Sequence, residues 1–142
     1  MDDLTKQFRE MMGYSNSFDD EEEKIELEYQ EKQERIEFES QLYRMVKRRK
    51  KNQRNIWFLY VLKLEHEKIY IGITNNPRKR IMQHYDGVGA KVTKAFRPIK
   101  ILDVIKSTSS REYVEQIEND VTENMRAQYG ERNVYGGYHV KL

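Results

Sequence analysis

The 142-residue chain has no cysteine, only two prolines and one tryptophan, and no long apolar run. Without cysteine it has neither a disulfide framework nor a thiolate metal site, which suits a reducing compartment. Without a stretch of about 20 apolar residues, no membrane-spanning helix is predicted. Met1-Asp2-Asp3 does not open a secretory signal, so a cytoplasmic protein is expected, or a nuclear one in a eukaryotic host. Charged residues make up 35% and hydrophobic residues 37%, too polar a mixture for one core built from the whole chain. One globular domain with a smaller extension fits this length.

What is present is sorted charge. Residues 1–55 hold 12 Lys/Arg against 14 Asp/Glu, and residues 56–142 hold 14 against 10. The second part is mildly basic, compatible with a polyanionic partner. Leu4, Phe8, Met11 and Met12 predict a short amphipathic helix ended by the turn Gly13–Ser17. Residues 19–55 lack glycine and proline and predict a long charged helix. Asp19 to Glu39 carries 11 acidic side chains against three basic ones, whereas Arg44 to Arg54 carries seven basic and no acidic ones. Acid first and base last agrees with the helix dipole. Ile25, Tyr29, Ile36, Tyr43 and Val46 fit one apolar seam, interrupted by Lys32 and Glu39, which disfavours a regular coiled coil. That stripe is expected to pack on the domain or on a second copy, so a homo-oligomer through this helix is one expectation. The run Lys47, Arg48, Arg49, Lys50 and Lys51 is a candidate clamp for a phosphate backbone.

From residue 56 the pattern changes. Phe58 to Leu64 and Ile69 to Thr74 are apolar, β-branched and aromatic, separated by the polar break Glu65 to Lys68. Asn76 is a suitable N-cap, and Pro77 suits the first helical position. Tyr60 and Tyr70 fall one on each strand, while Arg80 and His84, four apart, share one face of the following helix. A phenol, a guanidinium and an imidazole brought together in this way can handle a phosphate. Ala90 to Phe96 alternates loosely and carries Lys91 and Lys94. Ile99 to Lys106 predicts a third strand, with Ile99, Ile101 and Val104 or Ile105 inward. Ser107–Ser110 offers N-caps for a last helix whose apolar face runs Tyr113, Ile117, Val121 and Met125, followed by a Gly-rich close.

The triplets Phe58-Leu59-Tyr60 and Tyr70-Ile71-Gly72, with Arg80 eight residues past Gly72 and His84 after it, resemble the GIY-YIG nuclease superfamily. Only the tyrosine of the first triplet is kept. The resemblance extends through Gly89, Thr93, Lys94, Pro98, Ile99 and Lys100, which match a G-x-x-x-T-K-x-x-x-P-I-K run of one branch. It continues through Tyr129 to Gly137, similar to that branch's Y-G-x-x-N-V-x-G-G close.

The resemblance implies an α/β fold with a small central antiparallel three-stranded sheet flanked by helices, here preceded by the charged helix. The expected division is residues 1–55 as extension and 56–142 as nuclease-like domain. It implies a DNA endonuclease with one divalent ion, Mg²⁺ or Mn²⁺, held by Glu118 rather than Glu115. Tyr60 would be the general base, with Tyr70 hydrogen bonded nearby, Arg80 would hold the scissile phosphate, and His84 would orient or relay the proton. Arg78, Lys91, Lys94 and Asn133 are the further candidates for contact with DNA. The alternatives are an inactive nucleic-acid-binding module and an oligomeric scaffold.

Overall fold

The computed structural model describes residues 17–48 and 56–142, together with positions 3, 4, 7 and 11. Phe8 and Met12 of the first expected helix, its turn at residues 13–16, and the basic positions Arg49, Lys50, Lys51 and Arg54 lie outside the described residues. The chain divides into two compact units, residues 1–36 and 37–142.

Helix α1 (Ser17–Met45) is the expected long charged helix. In the first unit its Ile25, Leu27, Tyr29 and Ile36 are all exposed. Of the five members of the seam read from the sequence, only Val46 is buried on the domain. The buried stripe belongs to the second unit and consists of Phe38, Leu42 and Val46, spaced by four residues so that they share one face. Arg78 fixes the end of this helix. Its Nε donates to Val46 O at 2.9 Å, and its guanidinium lies 4.0 Å over the Tyr43 ring. A cation on the last carbonyls also suits the helix dipole.

Among the described residues, β1 (Trp57–Leu64), β2 (Ile69–Thr74), β3 (Pro98–Ser107) and β4 (Val134–Gly136) form one sheet in the order β3-β1-β2-β4. β1 pairs antiparallel with β2 and β3, and β4 pairs parallel with β2. The expectation of three antiparallel strands is therefore corrected to four in a mixed sheet. Three residues inside a Gly-rich run carry no readable alternation, and their partner strand lies about sixty residues away. β1 is buried on both faces, which is why its sequence is an almost unbroken apolar run.

Helices cover both faces. Asn76 caps α2 (Pro77–Tyr85) by accepting from Lys79 N–H, and Pro77 opens it. The loosely alternating run after it forms the short helix α3 (Lys91–Ala95). Ile81 and Val92, with Phe38 and Leu42, close over Tyr60, Leu62 and Tyr70. Helix α4 (Arg111–Tyr129), capped by Ser110, lays Ile117, Val121 and Met125 on Leu59, Val61 and Ile71 of the opposite face.

The inward assignments of Ile99 and Tyr113 are corrected. Ile99 is exposed, because β3 is an edge strand whose register against β1 shifts at Val61/Leu62 and Lys63/Leu64, and of the pair Val104 or Ile105 it is Val104 that turns inward. Ile101 is the fully buried member of that strand and Val104 is half-buried. Tyr113 is exposed and Val114 is buried in its place. Steps of four residues overshoot the 3.6-residue turn, so a stripe centred on Val121 has rotated away from position 113. No helix among the described residues is long and apolar enough to cross a membrane.

Candidate active site

The site grows out of one cross-strand pair. Tyr60 lies opposite Gly72, so both point to the same face of the sheet. A Cβ on Gly72 would overlap the hydroxyl and Cζ of Tyr60 and stand 2.9 Å from its Cε2. The missing side chain is the space in which the phenol lies. Tyr70, two residues earlier on β2, presents its ring on the same face, 6.3 Å from the ring of Tyr60 and 4.9 Å from that of His84.

Helix α2 delivers the imidazole. His84 is fully buried, and its Nε2 lies 2.7 Å from the Tyr60 hydroxyl. That hydroxyl's partner is therefore the imidazole rather than Tyr70. Nδ1 lies 2.8 Å from Thr93 Oγ1, and the Thr93 hydroxyl donates to Ala90 O at 3.0 Å. Thr93 has one proton and uses it on Ala90, so it accepts from Nδ1–H. We assign the Nδ1–H tautomer on that ground, against a long 3.5 Å approach of Ala90 N–H to the same nitrogen. Nε2 is then the acceptor, and the Tyr60 hydroxyl donates to it. Gly89 lets the loop close on the ring, since a Cβ there would come 2.5 Å from Nδ1. Thr93 and Gly89 have roles that residue type alone does not reveal. The signal for both was their place in the run shared with one family branch.

Electrostatics fix the protonation states. Burial holds the Tyr60 phenol far above its ordinary range, with Tyr70 adding to the rise and Arg80 opposing it. Burial also raises Tyr70, again opposed by Arg80. Burial and the nearby Arg80 guanidinium lower His84 to about 3, so the imidazole is neutral at physiological pH. Arg80 itself is partly exposed on α2, one turn before His84, with Nη1 3.5 Å from Gln83 Oε1. It is the cation that favours a phenolate at either tyrosine.

The carboxylate arrives from the other layer. Although α4 packs on the Leu59 and Val61 face, Glu118 is close enough for its charge to raise both Tyr60 and Tyr70. β4 stops at Gly136, opposite Ile71, so the outer edge of β2 is unpaired by β4 from Gly72 onward. Glu118 sits at that gap, with Oε1 accepting from Gly137 N–H at 2.9 Å. Burial raises its carboxyl, and the Gly137 bond only partly offsets this. Glu115 adds to the rise, and a half-buried carboxyl held up by burial and a like charge is one that a bound cation would relieve. This donor fits a hydrated Mg²⁺, which takes one or two carboxylates and keeps several waters. Among the described residues no group of three or more His, Asp or Glu forms a metal cage.

The structure thus brings together Tyr60, Tyr70, Arg80, His84 and Glu118. It does not bring in Arg78, which is engaged at the end of α1, or Asn133, which accepts from Lys68 Nζ and donates to Tyr129 O. Lys91 and Lys94 are exposed on α3, beside the buried Thr93. Lys47 and Arg48 are exposed, and Arg49, Lys50 and Lys51 lie outside the described residues. Glu115 is paired on the surface with Arg111 at 3.0 Å.

A family model described as the GIY-YIG catalytic domain matches residues 56–132, more than half of the chain. Curated relatives include a UPF0213 protein of Cupriavidus necator, 36% identical over 56 residues, covering 39% of this chain and 61% of the relative. The UPF0213 protein YazA of Bacillus subtilis is 40% identical over 58 residues, covering 41% and 59%. A UPF0213 protein of Clostridium perfringens is 39% identical over 61 residues, covering 39% and 66%. The chain spans just under two thirds of the length of these relatives. No solved structure matches it.

Proposed function

The chain belongs to the GIY-YIG catalytic domain family, a family of nuclease type, and from that premise we propose that it hydrolyses DNA phosphodiester bonds as a divalent-metal-dependent endonuclease. The observation that carries the reading is the 2.7 Å bond from the Tyr60 hydroxyl to a neutral, tautomer-fixed His84 beside Arg80.

Hydrolysis needs a water stripped of a proton, neutralisation of charge on the phosphate, and correct placement of both. Tyr60 accepts the proton of the attacking water on its oxygen while passing its own proton to His84 Nε2. Thr93 holds the imidazole in the orientation and tautomer that can receive it. In the resting site burial, and after it Arg80, disfavour a second proton on His84. A phosphate bound to Arg80 offsets that guanidinium charge, which eases proton uptake by His84 while its burial still opposes it. Arg80 also stabilises the charge that develops on the non-bridging oxygens. Tyr70 lines the same face and orients the phosphate. Glu118 would hold Mg²⁺ or Mn²⁺, which supplies charge neutralisation at the phosphate and the leaving oxygen. Lys91, Lys94, Lys47 and Arg48 are proposed to contact the DNA backbone.

The degenerate first triplet does not argue for an inactive module. Leu59 packs in the core on the α4 side, and Phe58 is two residues away from Tyr60 along β1, so neither position supplies a reacting group. The test is incubation of the purified chain with supercoiled plasmid and Mg²⁺ or Mn²⁺. Nicking or linearisation that disappears in Arg80→Ala and in Glu118→Ala supports the enzyme. Retained DNA binding with no cleavage in either metal would overturn it in favour of a binding module.

A further inference from the structure

A cavity of about 420 Å³ lies on elements that also carry the candidate site; Lys47 and Arg48, proposed above as backbone contacts, line it, and none of the five reacting residues does. Its apolar lining includes Ile56, Phe58, Pro77 and Val104. Its charged lining is Lys47, Arg48, Arg78 and Lys106, and no acidic side chain lines it among the described residues. Arg78 is wall rather than ligand, because Val46 O and the Tyr43 ring already fix it. Lys47, Arg48 and Lys106 are exposed. Asn76 adds a side-chain amide whose carbonyl is spent on Lys79 N–H and whose NH₂ is a donor. An aromatic and aliphatic floor under a rim of cations is complementary to a flat apolar body that carries negative charge.

None of Tyr60, Tyr70, Arg80, His84 or Glu118 lines the cavity, but residues of its lining neighbour them along the chain and across the sheet. Phe58 and Tyr60 are two apart on β1, so their side chains leave the same face about 7 Å apart. Pro77 opens the helix that carries Arg80 one turn later and His84 after it. Val104 pairs with Tyr60 from the other neighbouring strand.

We propose that the cavity is a subsite for one nucleotide adjacent to the scissile phosphate, with its base on Phe58 and Val104 and its phosphate on Lys47, Arg48 and Lys106. Stacking on an aromatic face tolerates any base, so this subsite fixes the strand's position more than its sequence. The inference rests on the nuclease reading, because it takes the scissile link to lie at Arg80.

Two measurements test it separately from that reading. The first is an NMR titration of the metal-free full chain with deoxyadenosine 5′-monophosphate, deoxyribose 5-phosphate and inorganic phosphate. The nucleotide should shift Phe58, Asn76 and Val104 resonances and bind roughly tenfold more tightly than the sugar phosphate, the scale of one stacking contact. Phe58→Ala should bring the two within about twofold, and Lys106→Glu should weaken both. If Phe58→Ala fails to fold by circular dichroism, Phe58→Leu keeps the apolar volume, lacks the aromatic face and should still narrow the difference. Equal binding of nucleotide and inorganic phosphate to the wild type would reduce the cavity to a cationic surface and overturn the proposal, as would an undiminished difference in the Phe58 variants. The second measurement is cleavage of a substrate carrying one abasic position moved stepwise past the cut. A drop of about tenfold at a single offset is expected. A flat profile would overturn the subsite and leave the nuclease standing. Absence of cleavage on every substrate would overturn the nuclease and leave the titration to decide whether the cavity takes a nucleotide at all.

Discussion

Replacing Gly72 with alanine puts a methyl group where the Tyr60 phenol now lies. The new Cβ would stand 2.9 Å from Cε2, against an ordinary contact of 3.4 Å or more, and it would overlap Cζ and the hydroxyl outright. Clearing Cε2 alone takes about half an ångström, and clearing the hydroxyl end takes more. Tyr60 is 1% exposed, so the ring has no solvent to retreat into. The hydroxyl therefore moves relative to His84 Nε2, and a 2.7 Å bond stretched by about an ångström is no longer a hydrogen bond. Misplacement on that scale costs roughly 10²-fold in rate. Overpacking of the face costs about 1–3 kcal/mol in stability. The assay is plasmid nicking under single-turnover conditions, paired with thermal melting and with the ¹⁵N resonances of His84. A Gly72→Ala protein that nicks at the wild-type rate, with unchanged His84 signals, would refute the claim that this glycine exists to seat the phenol.

Further outcomes are expected at neighbouring groups. The His84 imidazole should keep the neutral Nδ1–H pattern from pH 8 down to pH 5, and a titration midpoint near 6.5 would contradict its burial. Because its folded pKa is lowered to about 3, the unfolded chain takes up this proton first. Stability should fall by a few kcal/mol as pH drops from about 6.5 toward 3, and His84→Gln should flatten that slope in pH-dependent urea melts. Thr93→Val removes the acceptor of Nδ1–H and should slow cleavage by about 10–100-fold with a change in the ¹⁵N tautomer pattern, while Thr93→Ser restores both. Leu42→Ala should cost about 2–5 kcal/mol by denaturant melting. A cost below 1 kcal/mol would mean that α1 is not part of the core of the second unit.

The parts of this protein legible in the sequence are those with local signals. The β1–β2 hairpin, the Asn76–Pro77 start of α2 and the Ser110 cap of α4 each declare themselves within four residues. What stayed hidden depends on partners far along the chain. Val134 to Gly136 becomes a strand only because β2 offers an edge. Phe38, Leu42 and Val46 sit among charges that mask their spacing, and a competing seam nearby is more conspicuous. Of the site, the tyrosines, Arg80 and His84 could be grouped from strand alternation and helix spacing. The roles of Thr93 and Gly89 could not be derived, because a threonine that sets a tautomer looks like any other threonine. The Glu118 position was read from likeness to a family. Its reach around the end of β4, past Gly137, is a property of tertiary structure alone.

Gln41 carries a consequence for how copies of this chain meet. Its side-chain amide donates to Ile101 O at 3.2 Å and accepts from Ile101 N–H at 3.3 Å, taking both backbone polar groups of one residue on the open margin of β3. That margin displays Ile99, Leu102 and Ile105 to solvent, a composition that invites a foreign strand to zip alongside. A glutamine clasped halfway along it works as a stopper, because a ten-residue ladder is cut into two stubs too short to hold an intruder. A protein that loses this amide should keep its shape and lose its solubility.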